Sequence, residues 1–333
     1  MFKEPGRATE TCPITGSIEM KGADILMMRK KTGVFCAVVV LLFSLAFASW
    51  AGETNGALVL QTDFGLKDGA VCTMKGVAFG VNPDLRIFDL THEIPAFNIW
   101  EGAQRLEQTA SYWPEGTVFV SVVDPGVGTD RKSIVAKTKT GHFFVTPDNG
   151  TLTFIAESLG IEAVRQIDEA INRLGGSEES YTFHGRDVYS YTGARLASGA
   201  ISFAEVGPEL APEVFRIPYQ KAAFEEGVVK GNIPILDSQY GNVWTSISKE
   251  VFTSLNPEKG ESFLVTILNG QDEVFKDKVP YVHTFGDVPE GDLLLYQNSL
   301  GNLSLAINMD DFAGTYGVDS GPEWTILIER PAP

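Results

Sequence analysis

The chain has 333 residues, 44% of them hydrophobic and 21% charged, with a formal net charge of −17 at neutral pH. This is ordinary globular composition, long enough for two domains, and it excludes a fibre or a disordered protein. An acidic surface of this kind repels phosphate backbones, so nucleic acid is excluded as a partner.

In chain order the first feature is a leader. Arg29, Lys30 and Lys31 precede an apolar run from Val34 to Ala48, followed by small residues at Ser49 and Ala51. A basic region, a short apolar region and a small-residue exit spell a secretory signal peptide over residues 27–51. The run falls short of the about 20 apolar residues that span a bilayer, which leaves an uncleaved anchor as the weaker alternative. Residues 1–26 carry mixed charge without periodicity and read as an extension ahead of a start at Met27 or Met28. Cleavage after Ala51 leaves 20 basic and 39 acidic residues, a net charge of −19, and Cys72 as the only cysteine. The expected product is periplasmic, has no intrachain disulfide and has no stable membrane insertion.

The mature sequence then alternates strand and helix. Leu58 to Leu60 make a buried strand ending in a turn at Thr62 to Gly65, and a helix follows over Val71 to Val81. Asp63 at that strand end has two readings: a cap for the helix, or a carboxylate that accepts hydrogen bonds from a vicinal diol such as ribose. Leu85 to Leu90 give a second strand. The segment Ile99 to Tyr112 gives a second helix, with Ile99, Ala103, Leu106 and Ala110 on one face. Thr117 to Val123 read as a third, fully buried strand, which Pro125, Gly126 and Gly128 stop abruptly. Asp124 therefore stands at a strand's C-terminal end, where ligands bind in open α/β sheets, and Arg131 lies across a turn that can fold it back onto Asp124. The plainer reading is turn chemistry with a surface arginine. A hairpin (Ser133 to Thr138, His142 to Thr146), a helix over Leu152 to Leu159 and a helix over Arg186 to Ser198 complete the doubly wound α/β domain, residues 55–215. His184 and Gly185 sit just before the last helix, whose first turn presents free N–H groups.

From about Ala222 the texture changes to short alternating runs separated by Gly, Asn and Pro, which read as an all-β, barrel-like domain over residues 222–333. Asp237, Asn242 and Trp244 crowd one turn there, and Asn298, Ser299 and Gly301 another.

Taken together, TDFGLKD, HEIP, EGA, VVDPGVGTDR, PDNG, FHGRD, GNVW and NSLGNL, in this order and spacing, resemble the S-adenosylmethionine hydrolase and halogenase family. The similarity runs from about Leu58 to Arg330. It implies an N-terminal α/β domain and a C-terminal β-barrel domain in a homotrimer, with the substrate between subunits. The hydrolase branch has an Asp, Arg, His triad, matched here by Asp124, Arg131 and His184. Halogenases carry a tyrosine in place of Asp124, a serine in place of Gly185, and a long insertion where only Lys139, Thr140 and Gly141 bridge the hairpin. On all three counts the chain resembles the hydrolase. The family's binding residues match Asp63 for ribose, with Asp68 closing the same motif, Asp237 for the methionine ammonium, Asn242 and Trp244 for adenine, and Ser299 for the methionine carboxylate. Two positions depart from the halogenase pattern: Leu300 stands where an arginine binds the carboxylate, and Phe97 where a tryptophan walls the ribose.

The implied reaction is hydrolysis of S-adenosyl-L-methionine to adenosine and L-methionine. The sulfonium leaving group departs neutral, so the chemistry needs one water placed in line with the C5′–S bond and a group to take its proton. No metal and no cofactor are expected. Two alternatives come from other classes. One is an exported, non-catalytic sensor of adenosine or S-adenosylmethionine, motivated by the leader. The other is a metallohydrolase using Asp63, Asp89, His92, Asp124 and His184, which no ligand-spacing motif supports.

Overall fold

The computed structural model describes residues 53–331. The expected leader and start site, at residues 1–51, lie outside the described residues.

The α/β part is built on a seven-stranded sheet of order β2-β1-β3-β5-β4-β6-β7. Its elements are β1 (Ala57–Thr62), α1 (Ala70–Val81), β2 (Arg86–Thr91), α2 (Ile99–Ala110), β3 (Val118–Val122), β4 (Ser133–Thr138), β5 (Phe143–Pro147), α3 (Thr153–Ser158), β6 (Ile161–Gln166), α4 (Glu169–Asn172), α5 (Tyr191–Ala197) and β7 (Glu209–Leu210). Strands β2, β1, β3 and β5 run parallel, whereas β4, β6 and β7 join antiparallel. The doubly wound reading therefore holds for the parallel half, and the whole sheet is mixed. β1 and β3 are buried along their full lengths, as continuous apolar runs between two helical layers must be. One layer packs α1 and α5 on Leu58, Val120 and Val145; the other packs α2 and α3 on Val59, Phe119 and Phe144. On α2 it is Trp100, not Ile99, that is buried with Ala103, Leu106 and Ala110, and Asn98 caps the helix by accepting from the Glu101 N–H at 2.9 Å.

Gly193 sets how close α5 lies to the sheet. A side-chain carbon there would stand 2.4 Å from Val120 Cγ2. Only glycine lets the helix descend onto β3, and that descent carries the segment before it, including His184, toward the end of β3.

The strand-rich part comprises β8 (Ala223–Glu225), β9 (Val228–Ile233), β10 (Ile235–Asp237), β11 (Asn242–Ser248), α6 (Lys249–Thr253), β12 (Ser262–Asn269), β13 (Asp272–Pro280), β14 (Leu293–Gln297), β15 (Asn302–Ile307), α7 (Phe312–Tyr316) and β16 (Gly321–Glu329). Pairing among these strands gives a five-stranded sheet, β13-β12-β16-β9-β8, and a four-stranded sheet, β10-β11-β15-β14. Val229, Ile233, Val243, Phe263, Leu305 and Ile326, from both sheets, share one core. The alternation read in the sequence is real: along β16, Trp324, Ile326 and Ile328 turn inward. The architecture is thus two sheets around a common core, the coarser form of the barrel expected. The two parts are tied by the Trp100 indole, which donates to the Pro234 carbonyl at 2.8 Å, and by Arg105, which donates to the Leu236 carbonyl at 2.9 Å. Among the described residues no helix is long and apolar enough to cross a membrane.

Candidate active site

Asp124 follows the end of β3, and the tight turn after it is closed by the Val127 N–H to the Asp124 carbonyl (3.2 Å) and the Thr129 N–H to the Gly126 carbonyl (3.1 Å). Gly128 supplies the positive φ of 79° that the turn requires. The chain comes back so that Arg131 Nε donates to Asp124 Oδ1 at 2.8 Å and Nη2 to Oδ2, a bidentate pair. The two side chains are only 5% and 11% exposed, so this is a buried ion pair, not the surface arginine of the plainer reading. Burial works against the Arg131 charge, but the hydrogen bond to Asp124 and nearby negative charge outweigh it, and its pKa stands above the ordinary value.

Arg131 also reaches His184. Its Nη2 lies 3.1 Å from His184 Nδ1, so the three residues meet as one cluster. Beneath them Arg131 Nη1 donates to Ser133 Oγ at 2.9 Å, and Ser133 Oγ lies 3.1 Å from the Tyr189 hydroxyl. Burial pushes the Tyr189 phenol far up, so it stays protonated beneath the cluster. Ser133 and Tyr189 escaped the sequence reading. Tyr189 lies on a π-helical turn, Gly185–Ser190, which leads into α5, and its spacing from His184 fits no simple helical period. His184 is buried, and that burial, ahead of the effects of its charged neighbours, lowers its pKa. The shift favours the neutral ring.

Gly185 is confined by Phe64. A side-chain carbon at Gly185 would stand 2.9 Å from the Phe64 ring. The serine that a halogenase carries next to this histidine would have to displace that ring.

Asp63 does not cap α1. Its Oδ2 accepts from the Phe97 N–H at 2.9 Å, across to the loop after β2. Asp68 is the residue at the helix entry, its Oδ1 accepting from the Ala70 N–H at 2.8 Å. Phe97 has a φ of 70°, rare for a bulky residue, and is 70% exposed. Strain of this kind costs on the order of 1–3 kcal/mol and clusters at ligand clamps. The Asp63 carboxylate is part of what over-determines it.

The remaining predicted residues gather elsewhere. Asp237, Asn242, Trp244 and Ser299 all line one cavity of about 760 Å³ in the strand-rich part, together with Tyr296. Asn242 Nδ2 donates to Asp237 Oδ2 at 3.3 Å, and among the described residues no acceptor stands within hydrogen-bond geometry of the buried Trp244 indole N–H, with the Tyr296 hydroxyl as its polar neighbour. Burial, and after it the Asp237 charge, pushes the Tyr296 phenol up to about 12. Gly241 has a φ of 67°, and a side-chain carbon there would stand 1.7 Å from Asp311 Oδ1, so the turn between Asp237 and Asn242 accepts only glycine. The Leu300 N–H is taken by Asn298 Oδ1 at 2.9 Å. None of Asp63, Phe97, Asp124, Arg131 and His184 lines this cavity. The predicted residues thus form two sets, those of the α/β part (Asp63, Asp68, Phe97 and the triad) and the cavity set.

The metallohydrolase set is not assembled. His92 spends both ring nitrogens on Thr62 Oγ1 (2.8 Å) and Asp89 Oδ1 (3.0 Å), and Lys75 takes the other Asp89 oxygen at 2.6 Å. Among the described residues no group of three or more His, Cys, Asp or Glu side chains is disposed to hold a metal ion.

Residues 58–207 match the family model of the SAM hydroxide adenosyltransferase N-terminal domain, and residues 231–325 that of the C-terminal domain. The (R)-S-adenosyl-L-methionine hydrolase of Methanocaldococcus jannaschii is 36% identical over 276 residues, covering 81% of this chain and 95% of the relative. A fluorinase of Actinopolyspora mzabensis is 27% identical over 289 residues, covering 79% of this chain and 94% of the relative. Among solved structures, an uncharacterized conserved protein from Thermotoga maritima superimposes with a TM-score of 0.74 at 36% identity, covering 82% of this chain and all of that one.

Proposed function

Since the chain belongs to the SAM hydroxide adenosyltransferase family, we propose that it hydrolyses S-adenosyl-L-methionine to adenosine and L-methionine by in-line attack of water at C5′, without a metal ion. The observation that carries the reading is the buried cluster of Asp124, Arg131 and His184 at the end of β3. The electrophile is activated by its own positive charge, and the thioether leaves neutral. What remains is to hold one water in line and take its proton as the C–O bond forms. Asp124 takes that proton: each carboxylate oxygen keeps lone-pair capacity after the bidentate contact with Arg131. Arg131 fixes the plane of the carboxylate, and His184 holds the far side of Arg131. Asp63 receives the ribose hydroxyls, Phe97 covers the sugar, and Asp68 serves the same side of the substrate. In the cavity Asp237 takes the ammonium group, Asn242 and Trp244 the adenine, and Ser299 the methionine carboxylate.

The two sets of residues come together when the α/β part of one subunit meets the cavity of the next in a homotrimer. Exposed Leu66 and Phe97 beside the first set, and Tyr240 and Met309 beside the cavity, support a contact that buries them. A ring of three such head-to-tail contacts makes three equivalent sites. The leader read over residues 27–51 supports a periplasmic location, a reading tested by N-terminal sequencing of the exported chain.

The testing experiment incubates residues 52–333 with S-adenosyl-L-methionine in EDTA and resolves the products by chromatography and mass. Adenosine and methionine in equal amounts, at a rate unchanged by the chelator, are the expected result. Saturable binding without products would favour the sensor instead, and loss of activity in EDTA would remove the metal-free step. A second experiment addresses the assembly. Two inactive variants, D124N and D237N, co-expressed in equal amounts, are expected to regain about a quarter of the wild-type sites, since each site draws one part from each of two subunits. No recovery in mixed trimers would place the whole site within one chain.

A further inference from the structure

His184 is flanked on both sides by arginine. Arg131 Nη2 faces Nδ1 at 3.1 Å, and Arg173 Nη2 faces Nε2 at 3.2 Å. Arg173 is itself tightly built in, its side chain 6% exposed. Its Nη2 and Nε donate to Glu169 Oε2 at 2.7 and 3.1 Å, and its Nη1 donates to the carbonyls of Ser180 at 3.2 Å and Ser177 at 3.4 Å. The guanidinium lies over the Tyr181 ring at 4.7 Å. Its backbone is anchored through the neighbouring Asn172, a fully buried side chain that donates to the carbonyls of Glu205 and Val206. Arg173 therefore cannot swing away from the imidazole without dismantling this loop.

A neutral imidazole has one lone pair and one N–H, whereas arginine offers only donors. Of the two guanidinium groups, one donates an N–H to the ring lone pair and the other stands against the ring N–H. A protonated ring would meet both with N–H groups and with like charge. The charged and titratable groups around the ring are Arg131 and Arg173 in contact, Glu169 and Asp124 behind them, and the Tyr181 and Tyr189 rings at 6.2 and 6.5 Å. Neither carboxylate bonds the ring directly, because each is taken up by the intervening arginine.

We propose that Arg173 is a positioning residue that, with Arg131, clamps His184 as a neutral ring, which leaves Asp124 as the group that takes the proton of the attacking water. This rests on the proposed hydrolase reading for its consequence in catalysis, but the clamp itself is measurable without substrate. The lowered pKa of His184 agrees with it, burial being the leading cause and the two arginines adding to it against Glu169 and Asp124.

The experiment follows His184 by nitrogen-15 NMR in the whole mature chain, where the four histidines of the sequence are assigned by substitution. Arg173→Gln removes a cation and frees the Glu169 carboxylate, so the His184 titration midpoint rises and the acid limb of the kcat/KM profile moves to higher pH. Glu169→Gln removes the anion and leaves the cation, so the midpoint falls. R173Q also lowers kcat by roughly 10- to 100-fold, the cost of a slightly misplaced group, and R173K restores most of it. A purely structural role would move both variants the same way. Shifts in one common direction, or no shift in either, overturn the proposal. If R173Q does not fold, E169Q and R173K decide it: the midpoint falls in E169Q and stays near the wild-type value in R173K, and a midpoint that does not fall in E169Q overturns the proposal. Failure of the wild-type chain to turn over substrate bears on the function alone, since the titration is read without substrate.

Discussion

Asp124→Asn is expected to lower kcat by roughly 10²- to 10⁴-fold, the usual contribution of a positioned base, while KM changes little. The asymmetry follows from where the residue acts. Before the reaction the water and the sulfonium are both present and neither needs the Asp124 charge to be bound. As the C–O bond forms, the water becomes acidic and the carboxylate accepts its proton, so the interaction exists only in the transition state. Asparagine keeps the shape and one acceptor oxygen for Arg131 but not the basicity. Alanine is the worse test, because it leaves the Arg131 guanidinium, 11% exposed, without its partner. An uncompensated buried charge costs about 3–5 kcal/mol of stability, so inactivity of that variant does not separate chemistry from unfolding. The check is steady-state kinetics on D124N beside its thermal melt. A variant with normal kcat and a raised KM would move Asp124 from the chemistry to binding.

Most of the parallel half of the sheet was legible from apolar runs and turn residues. β1 and β3 lie within a residue or two of their predicted spans because uninterrupted Val, Leu and Phe between glycine and proline turns admits no other placement. β6, α4 and β7 were not foreseen. β6 mixes Glu162 and Arg165 with its apolar residues, α4 is a single turn, and β7 has two residues, so none carries a periodic signal. The Asp124 and Arg131 contact was readable because the turn between them is short and glycine-rich. His184 was readable as a site residue only from its place before a helix, and its approach to Arg131 depends on the packing of Gly193 onto Val120. Arg173 shows the limit. Its spacing from Glu169 is that of a helical ion pair, which sequence offers everywhere; its meeting with His184 is a matter of tertiary packing.

The strand-rich half tells the same lesson from the other side. Asp237, Asn242, Trp244 and Ser299 are turn and strand residues in two distant stretches, each unremarkable locally. They line one cavity because β10 pairs with β11, β11 with β15 and β15 with β14, bringing both turns to the same region of the four-stranded sheet. Register, not composition, makes the site.

Asp63→Ala should raise KM by about 10- to 100-fold with a smaller fall in kcat, matching the loss from ribose binding of about 1.5–3 kcal/mol, the contribution of one charged hydrogen bond. The Asp63 Oδ2 already accepts from the Phe97 N–H at 2.9 Å. It can accept a second hydrogen bond there and more at Oδ1, so a diol finds both its hydroxyls served by one carboxylate. The substitution also unfastens Phe97, whose φ of 70° is held against its own preference, so the exposed ring loses its place. These two effects separate by ligand. Against 2′-deoxyadenosine, which lacks one hydroxyl, the part of the penalty due to the diol shrinks, while the part due to Phe97 persists. Phe97→Gly provides the converse, relieving the backbone and removing the ring with Asp63 intact. Isothermal titration of both variants with adenosine and its 2′-deoxy analogue reads the four affinities. A D63A penalty that is the same for both nucleosides would mean that Asp63 serves the loop and not the ribose.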